Sequence, residues 1–242
     1  EAGLRSFDAS MPEELNRIEI DKIADALFIT EKSAEENIRK EKLRGRVHFV
    51  GNTMIDTLVR MERKIRSAAL PLDPPSPFSI ATIHRPSNVD REPALRQVLE
   101  FLADISSHCS VVFPLHLRTK ASIERFGLQS LLSNIRSIEP LGYLPFLRLL
   151  TEAQFILTDS GGIQEEATFL GKRCFTLRRN TERPSTIESG SNILIDPESE
   201  EDRQRVLLFA SHPDTVLVKR PEKWDGRAGE RIVGVLRDLE KV

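Results

Sequence analysis

The 242 residues carry 35 Lys and Arg against 37 Asp and Glu, a formal charge of -2, with 39% hydrophobic and 30% charged residues. That length suits one large or two modest domains with a real core, and the near-balanced charge gives no electrostatic footprint for nucleic acid or an anionic membrane. Cys109 and Cys174 stand far apart without a CxxC pair, which argues against a zinc knuckle or disulfide framework and, with no apolar run of about eighteen residues or signal-peptide pattern, points to a cytoplasmic protein.

The chain opens on Glu1-Ala2-Gly3-Leu4-Arg5, without an initiating Met. Such a turn usually follows a strand, so the sequence is expected to begin inside a fold. Ser10-Met11-Pro12-Glu13 has capping-box spacing and predicts a helix over 12–24. A short apolar run at 26–29 reads as a buried strand, Thr30 can cap a helix over 31–43, and 47–50 reads as a strand before a helix over 53–66. The prolines of 70–77 lack amide donors and favour extended backbone, which makes this stretch the best domain boundary.

After it the alternation restarts: strands at 78–83, 110–115, 135–138, 155–158 and 173–177 interleave with helices at 92–106, 119–126, 145–152 and 162–170. Helices at 198–211 and 227–239 close the chain. Strands alternating with helices imply parallel sheets covered on both faces. No internal repeat or low-complexity tract interrupts the pattern. The first block, up to residue 69, shows only two strands, too few for a complete doubly wound domain.

In Asp159-Ser160-Gly161-Gly162-Ile163-Gln164-Glu165-Glu166 an apolar strand ends in a small polar turn that opens a helix. Amides at such a turn are free, Gly has no Cβ to block a phosphate, and the helix dipole favours anions. Glu166, about one turn on, could accept from both hydroxyls of a ribose. The plainer alternative is an ordinary turn with a solvated acidic first turn. His84 and Arg85 lie at the end of another apolar strand, where open α/β sheets bind ligands. They could neutralise a diphosphate, His84 as charged donor or general acid, although a lone His is usually structural.

Arg178, Arg179 and Arg183 follow a further strand. Arg183, with Pro184 able to start a helix after it, is the candidate for a cleft, whereas Arg179 reads as a solvated ion-pairing residue. Phe146 could stack on a nucleobase or be core. Glu13 and Arg17, four apart, could be an ordinary helix-face ion pair. Alternatively Glu1 and Glu13 project into a cleft as proton-transferring carboxylates, tuned by burial toward neutral pKa values. His116, after the strand at 110–115, is a weaker contact candidate. His48, His108 and His212 have no supporting context.

Taken together, Glu1-Ala2-Gly3-Leu4-Arg5, Pro12-Glu13-Glu14-Leu15-Asn16-Arg17, Val50-Gly51-Asn52-Thr53, His84-Arg85, the run from Asp159 to Ala167 and Thr181-Glu182-Arg183-Pro184 resemble the UDP-N-acetylglucosamine 2-epimerase family in order and approximate spacing over nearly the whole chain. The resemblance implies an α/β, GT-B-like fold of two Rossmann-type parallel-sheet domains with the active site between them and the first domain incomplete. The expected division is 1–69 as the later part of the first domain, 70–77 as linker, 78–220 as the UDP-binding domain and 221–242 as a helix returning toward the first.

It also implies that Ser160, Gly161 and Gly162 hold the UDP diphosphate, Glu166 the ribose, Phe146 and its neighbours the uracil, and His84 with Arg183 the phosphates near the leaving group. Glu1 and Glu13 match carboxylates near the sugar. The implied reaction interconverts UDP-N-acetylglucosamine and UDP-N-acetylmannosamine through a bound 2-acetamidoglucal, with no cofactor and no metal. The full-length enzyme is expected to be a homodimer, and a chain of this extent alone to bind UDP without turnover. The stretch from Ser189 to Ile195 matches the family loosely. Hydrolysing relatives that release N-acetylmannosamine, a GT-B glycosyltransferase and a simple UDP-binding module remain alternatives.

Overall fold

The computed structural model describes residues 1–9, 11–214 and 217–239. By contacts the chain forms two compact units, the first made of Glu1–Glu62, Asn180–Ser189 and Lys219–Val242, the second of Arg63–Arg179 and Gly190–Val218. The Pro-rich stretch 70–77 therefore groups with the second unit, and the segment Asn180–Ser189 with the first.

In the first unit, helix α1 (Pro12–Ile23) leads to strand β1 (Ala26–Ile29), helix α2 (Ser33–Lys40) and strand β2 (Arg46–Phe49). The two strands pair in parallel with Ala26 opposite Arg46 and Ile29 opposite Phe49. Leu27 and Ile29 of β1 bury against Leu4, Ala34 and Ile38, which gives this unit a small core of its own. Pro12 at the first turn of α1 fits its fixed φ, and Met11 is the N-cap without a side-chain bond. The expected Ser10 cap lies outside the described residues. Helix α2 starts later than expected, at Ser33, with Lys32 as N-cap, so Thr30 does not cap it.

Helix α3 (Thr53–Ser67) follows, and the second unit then carries one six-stranded sheet. Its strands are β3 (Phe78–Thr82), β4 (Ser110–Pro114), β5 (Arg136–Ile138), β6 (Phe155–Thr158), β7 (Arg173–Leu177) and β8 (Asn192–Ile195). All pairings are parallel and the order is β5-β4-β3-β6-β7-β8. The chain thus winds outward from β3 to β5, returns to the other side of β3 at β6, and winds outward again. Helices α4 (Pro86–Val89), α5 (Glu92–Ser106), α6 (Leu117–Phe126), α7 (Tyr143–Glu152), α8 (Gly161–Phe169), α9 (Pro184–Glu188), α10 (Glu200–Ser211) and α11 (Ala228–Leu239) complete the chain, α9 and α11 with the first unit.

Strands β3, β6 and β7 read as almost continuous apolar runs because this sheet is covered on both faces. Beneath them Phe155, Phe175 and Phe209 meet edge to face, with centroids 5.5 to 5.7 Å apart. Strand β8 was not expected from sequence. Its four residues follow Gly190 and Ser191, and so short a run has too few positions for periodicity to register.

Candidate functional site

A doubly wound parallel sheet binds ligands beyond the carboxyl ends of its strands, where the direction of winding reverses. Here that switch point lies between β3 and β6, paired through Ile80 and Ile156, Ala81 and Leu157, and Thr82 and Thr158. Two loops leave it side by side, one carrying His84 and Arg85, the other Asp159 and Ser160. The two glycine-and-histidine signals, 75 residues apart in sequence, are therefore parts of one structure.

Asp159 joins them. Fully buried, its carboxylate accepts from the His84 amide at 3.0 Å, the Arg85 amide at 2.8 Å and Asn88 Nδ2 at 3.0 Å. Its carbonyl accepts from Arg85 Nε at 2.7 Å, and Asn88 also donates to the Leu177 carbonyl at 3.2 Å. Arg85 thus uses its Nε to brace the turn. Thr158 Oγ1 shares a 2.8 Å hydrogen bond with Thr82 Oγ1 and accepts from the Ser160 amide at 3.0 Å.

Ser160 is the N-cap of α8, with extended backbone (φ -86°, ψ 131°) and no side-chain capping bond. The hydroxyl therefore makes no capping bond, and the first helical amides, of Gly161 and Gly162, have no intrahelical acceptor. By contrast Ser199 at the start of α10 folds its oxygen back onto the Asp202 amide at 3.3 Å. Amide donors, a positive helix end and two residues without Cβ are the features by which a helix start accommodates an anion.

Further along α8 the expected solvated acidic turn is absent, since Glu165 and Glu166 are 2% and 4% exposed. Burial is the main reason the Glu166 pKa rises, to about 7, with the Glu165 charge adding to it and a hydrogen bond from Tyr143 opposing. The Tyr143 phenol rises to about 12 through its own partial burial and the Glu166 charge. Tyr143 opens α7 and Phe146, half-buried, lies in the same first turn. The Tyr143–Glu166 pair escaped sequence reasoning, because 23 residues separate its members.

His84 is half-buried, with Nδ1 3.2 Å from Asp159 Oδ1. Its pKa falls, chiefly through burial, partly offset by Asp159 and reinforced by His116, Arg85 and Arg118. His116 is the N-cap of α6; its Nδ1 accepts from the Arg118 amide at 3.2 Å and its ring centroid lies 5.2 Å from that of His84.

The first unit holds its own polar cluster, and the local sequence explains it. Gly3 has φ +72°, and a Cβ there would lie 2.5 Å from the Ala34 carbonyl. Leu4 enters the core, and buried Arg5 binds Asp21 and Glu41, each at 2.8 Å. Asp21 also accepts from the Gly3 amide at 2.9 Å. This turn sets out Glu1, whose carboxylate pairs with Arg17 at 3.2 Å and with Arg183. Burial raises the Glu1 pKa, but the charge and hydrogen bond of Arg183 outweigh it, so the net shift is downward. The expected tuning toward neutrality is reversed there. Arg183 is 5% exposed and caps α9.

On α1 the adjacent glutamates separate. Glu14, 2% exposed, accepts from the amides of Ser6 and Phe7, each at 2.9 Å, and from Arg17 at 3.0 Å. Glu13 is exposed, so the expected Glu13–Arg17 ion pair is replaced by Glu14–Arg17. Sequence reasoning also missed Glu31. Its buried carboxylate accepts from the hydroxyls of Ser33 and of Ser185 in α9, and burial raises its pKa. Arg179, exposed, pairs with Asp196 and Glu198 in the second unit. Among the described residues no cluster of His, Cys, Asp and Glu could hold a metal ion, and no helix is long and apolar enough to cross a membrane.

Rossmann-type parallel sheets, the larger one doubly wound about its switch point, define an α/β protein of GT-B-like class. A family model described as UDP-N-acetylglucosamine 2-epimerase matches residues 1–237. A UDP-N-acetylglucosamine 2-epimerase of Methanococcus maripaludis is 41% identical over 253 residues, covering 98% of this chain and 67% of the relative. The crystal structure of the Methanocaldococcus jannaschii UDP-GlcNAc 2-epimerase in complex with UDP-GlcNAc and UDP superposes with TM-score 0.88 at 37% identity, covering 98% of this chain and 67% of that one. A UDP-2,3-diacetamido-2,3-dideoxy-D-glucuronate 2-epimerase of Pseudomonas aeruginosa is 39% identical over 199 residues, 81% of this chain and 55% of the relative. The chain belongs to the UDP-N-acetylglucosamine 2-epimerase family, a family of isomerases.

Proposed function

We propose that the second unit binds the UDP moiety of a nucleotide sugar and that the enzyme containing this chain interconverts UDP-N-acetylglucosamine and UDP-N-acetylmannosamine. The observation that carries this reading is the uncapped turn of Ser160, Gly161 and Gly162 at the switch point. The UDP named in the Methanocaldococcus complex supports the choice of anion.

In this reading the turn and Arg183 receive the diphosphate, with His84 and His116 beside it and Arg85 bracing the loop. Glu166 accepts from the ribose hydroxyls, and Phe146 lies against the uracil. One carboxylate of the pair Glu1 and Glu13 removes the proton at sugar C2. The bond between C1 and the UDP oxygen then breaks, its electron pair leaving with UDP, and the C2–H electrons form the C1–C2 double bond of 2-acetamidoglucal. Return of a proton to the opposite face of C2 and of UDP to C1 completes the epimerisation. Ionised Glu1, held down by Arg183, suits the accepting role. Exposed Glu13 is free of the structural bonds that occupy Glu14.

Turnover of UDP-N-acetylglucosamine in deuterated water by a polypeptide that includes this chain should place deuterium at C2 of both epimers; unlabelled products would refute the elimination. Free N-acetylmannosamine as the product would instead indicate the hydrolysing outcome. The Pseudomonas relative favours one second reading, the same epimerisation on a UDP-linked diacetamido uronate. Comparing kcat/KM for the two UDP-sugars decides between them.

A further inference from the structure

Within the switch point the buried carboxylate of Asp159 has no role as a ligand contact, because every bond it makes is internal. Oδ2 accepts from the amides of His84 and Arg85 at 3.0 and 2.8 Å and from Asn88 at 3.0 Å. Oδ1 lies 3.2 Å from the His84 amide and 3.2 Å from His84 Nδ1. All these partners are donors, so the group there must be a pure acceptor, and a carboxylate is one where a carboxamide is not. A carboxylate facing Nδ1 keeps the ring proton on Nδ1 and leaves Nε2 without one.

We propose that Asp159 is a positioning residue for His84: it fixes both the loop and the Nδ1–H tautomer, so that Nε2 faces the diphosphate site as a bare nitrogen able to take up a proton when the phosphates arrive. The charged and titratable groups facing the ring are Asp159 on its own sheet, His116 and Arg118 at the start of α6, and Arg85 beside it. Three of these are basic and disfavour a proton on Nε2. An incoming diphosphate supplies the opposite charge, and protonation at Nε2 then follows binding. The Nε2 proton passes to the departing UDP oxygen as the C1–O bond breaks, and in the return step that oxygen hands it back to Nε2 as UDP rejoins the sugar. The inference rests on the reading that this turn receives UDP.

The tautomer can be read in the unmodified protein by long-range proton–nitrogen correlation on 15N-histidine-labelled material. Five histidines make assignment by His84→Gln practicable. Neutral His84 should show its proton on Nδ1; a proton on Nε2 overturns the proposal, whatever any variant does. Asp159→Asn should shift the tautomer population and move the His84 titration to lower pH, since the carboxylate raises it. It should also lower kcat about 10- to 100-fold, as losing the outer-shell partner of a working histidine does, while KM changes little. A folded Asp159→Asn protein with unchanged tautomer and kcat would also overturn it. If that variant does not fold, the wild-type spectrum alone decides. Adding UDP should move the Nε2 resonance toward the protonated position. A correct tautomer with no response to UDP would leave the positioning intact and refute the UDP site instead.

Discussion

Adjacent glutamates near a helix start recur in this protein, and the fold treats two of these pairs, Glu13-Glu14 on α1 and Glu165-Glu166 on α8, in opposite ways. In α1 the 100° step between neighbours sends Glu14 inward and leaves Glu13 exposed. In α8, which follows the central strand β6, both are buried. Glu14 is surrounded by donors: burial raises its pKa, but the Ser6 and Phe7 amides and Arg17 win and bring it below the ordinary range. Glu166 has Tyr143 as donor and Glu165 as charged neighbour, and burial wins. The same dipeptide is thus a brace in one region and a strained acceptor awaiting donors in the other. The supply of partner N–H and O–H groups decides which.

The sharpest break in that comparison would come from stability. Glu14→Gln removes the charge that holds Arg17 and two amides and should destabilise the protein by about 3 kcal/mol, read from urea unfolding at pH 7, while Glu13→Gln leaves the midpoint unchanged. The Glu14 contribution has the sign of a depressed carboxylate, present above about pH 4.5 and lost as pH falls through its lowered pKa. Equal effects at Glu13 and Glu14 would erase the inward–outward distinction.

Glu166→Gln should act with the opposite sign. A raised carboxylate pKa adds stability that is complete below about 4.5 and lost as pH rises to about 7, because the native state must then bury a charge. The shift corresponds to about 3 kcal/mol, so the variant should gain up to that much over wild type above pH 7 and little below pH 4.5, measured as thermal midpoints across the range. The same site should lose affinity: Glu166→Ala should weaken UDP binding by roughly 1.5 to 3 kcal/mol in calorimetry. Unchanged affinity would make Glu166 purely structural.

Smaller still is the effect of Tyr143→Phe. Losing the phenol donor should move the Glu166 titration to higher pH and cost about 1 kcal/mol near neutrality. A thermal midpoint that shifts with neither variant would show that the pair is not coupled in solution.

Strand–helix alternation, the parallel sheet, the helix at Glu92–Ser106 and the strands at Ala26–Ile29 and Phe155–Thr158 were legible in residue order, because period and apolar content are properties of a few consecutive side chains. So was the strand-to-helix turn at Ser160, Gly161 and Gly162, since an apolar strand ending in small polar residues is a local pattern. Strand β8 was not legible, being too short for periodicity, and helix α9 only partly so, marked by Pro184 alone.

What residue order could not determine is which distant groups meet. Asp159 braces His84 from 75 residues away, Tyr143 reaches Glu166, Arg183 pairs with Glu1 across 182 residues, and Ser185 reaches Glu31 across 154. Each partnership depends on the loops that the tertiary fold brings together. Sequence therefore determined where an apolar strand ends in a glycine turn that opens a helix. The tertiary structure alone decided that the His84 ring lies beside the Asp159 carboxylate, that Arg183 draws the Glu1 pKa down, and that of two neighbouring glutamates on α1 only Glu13 is exposed, because each depends on groups far apart in sequence.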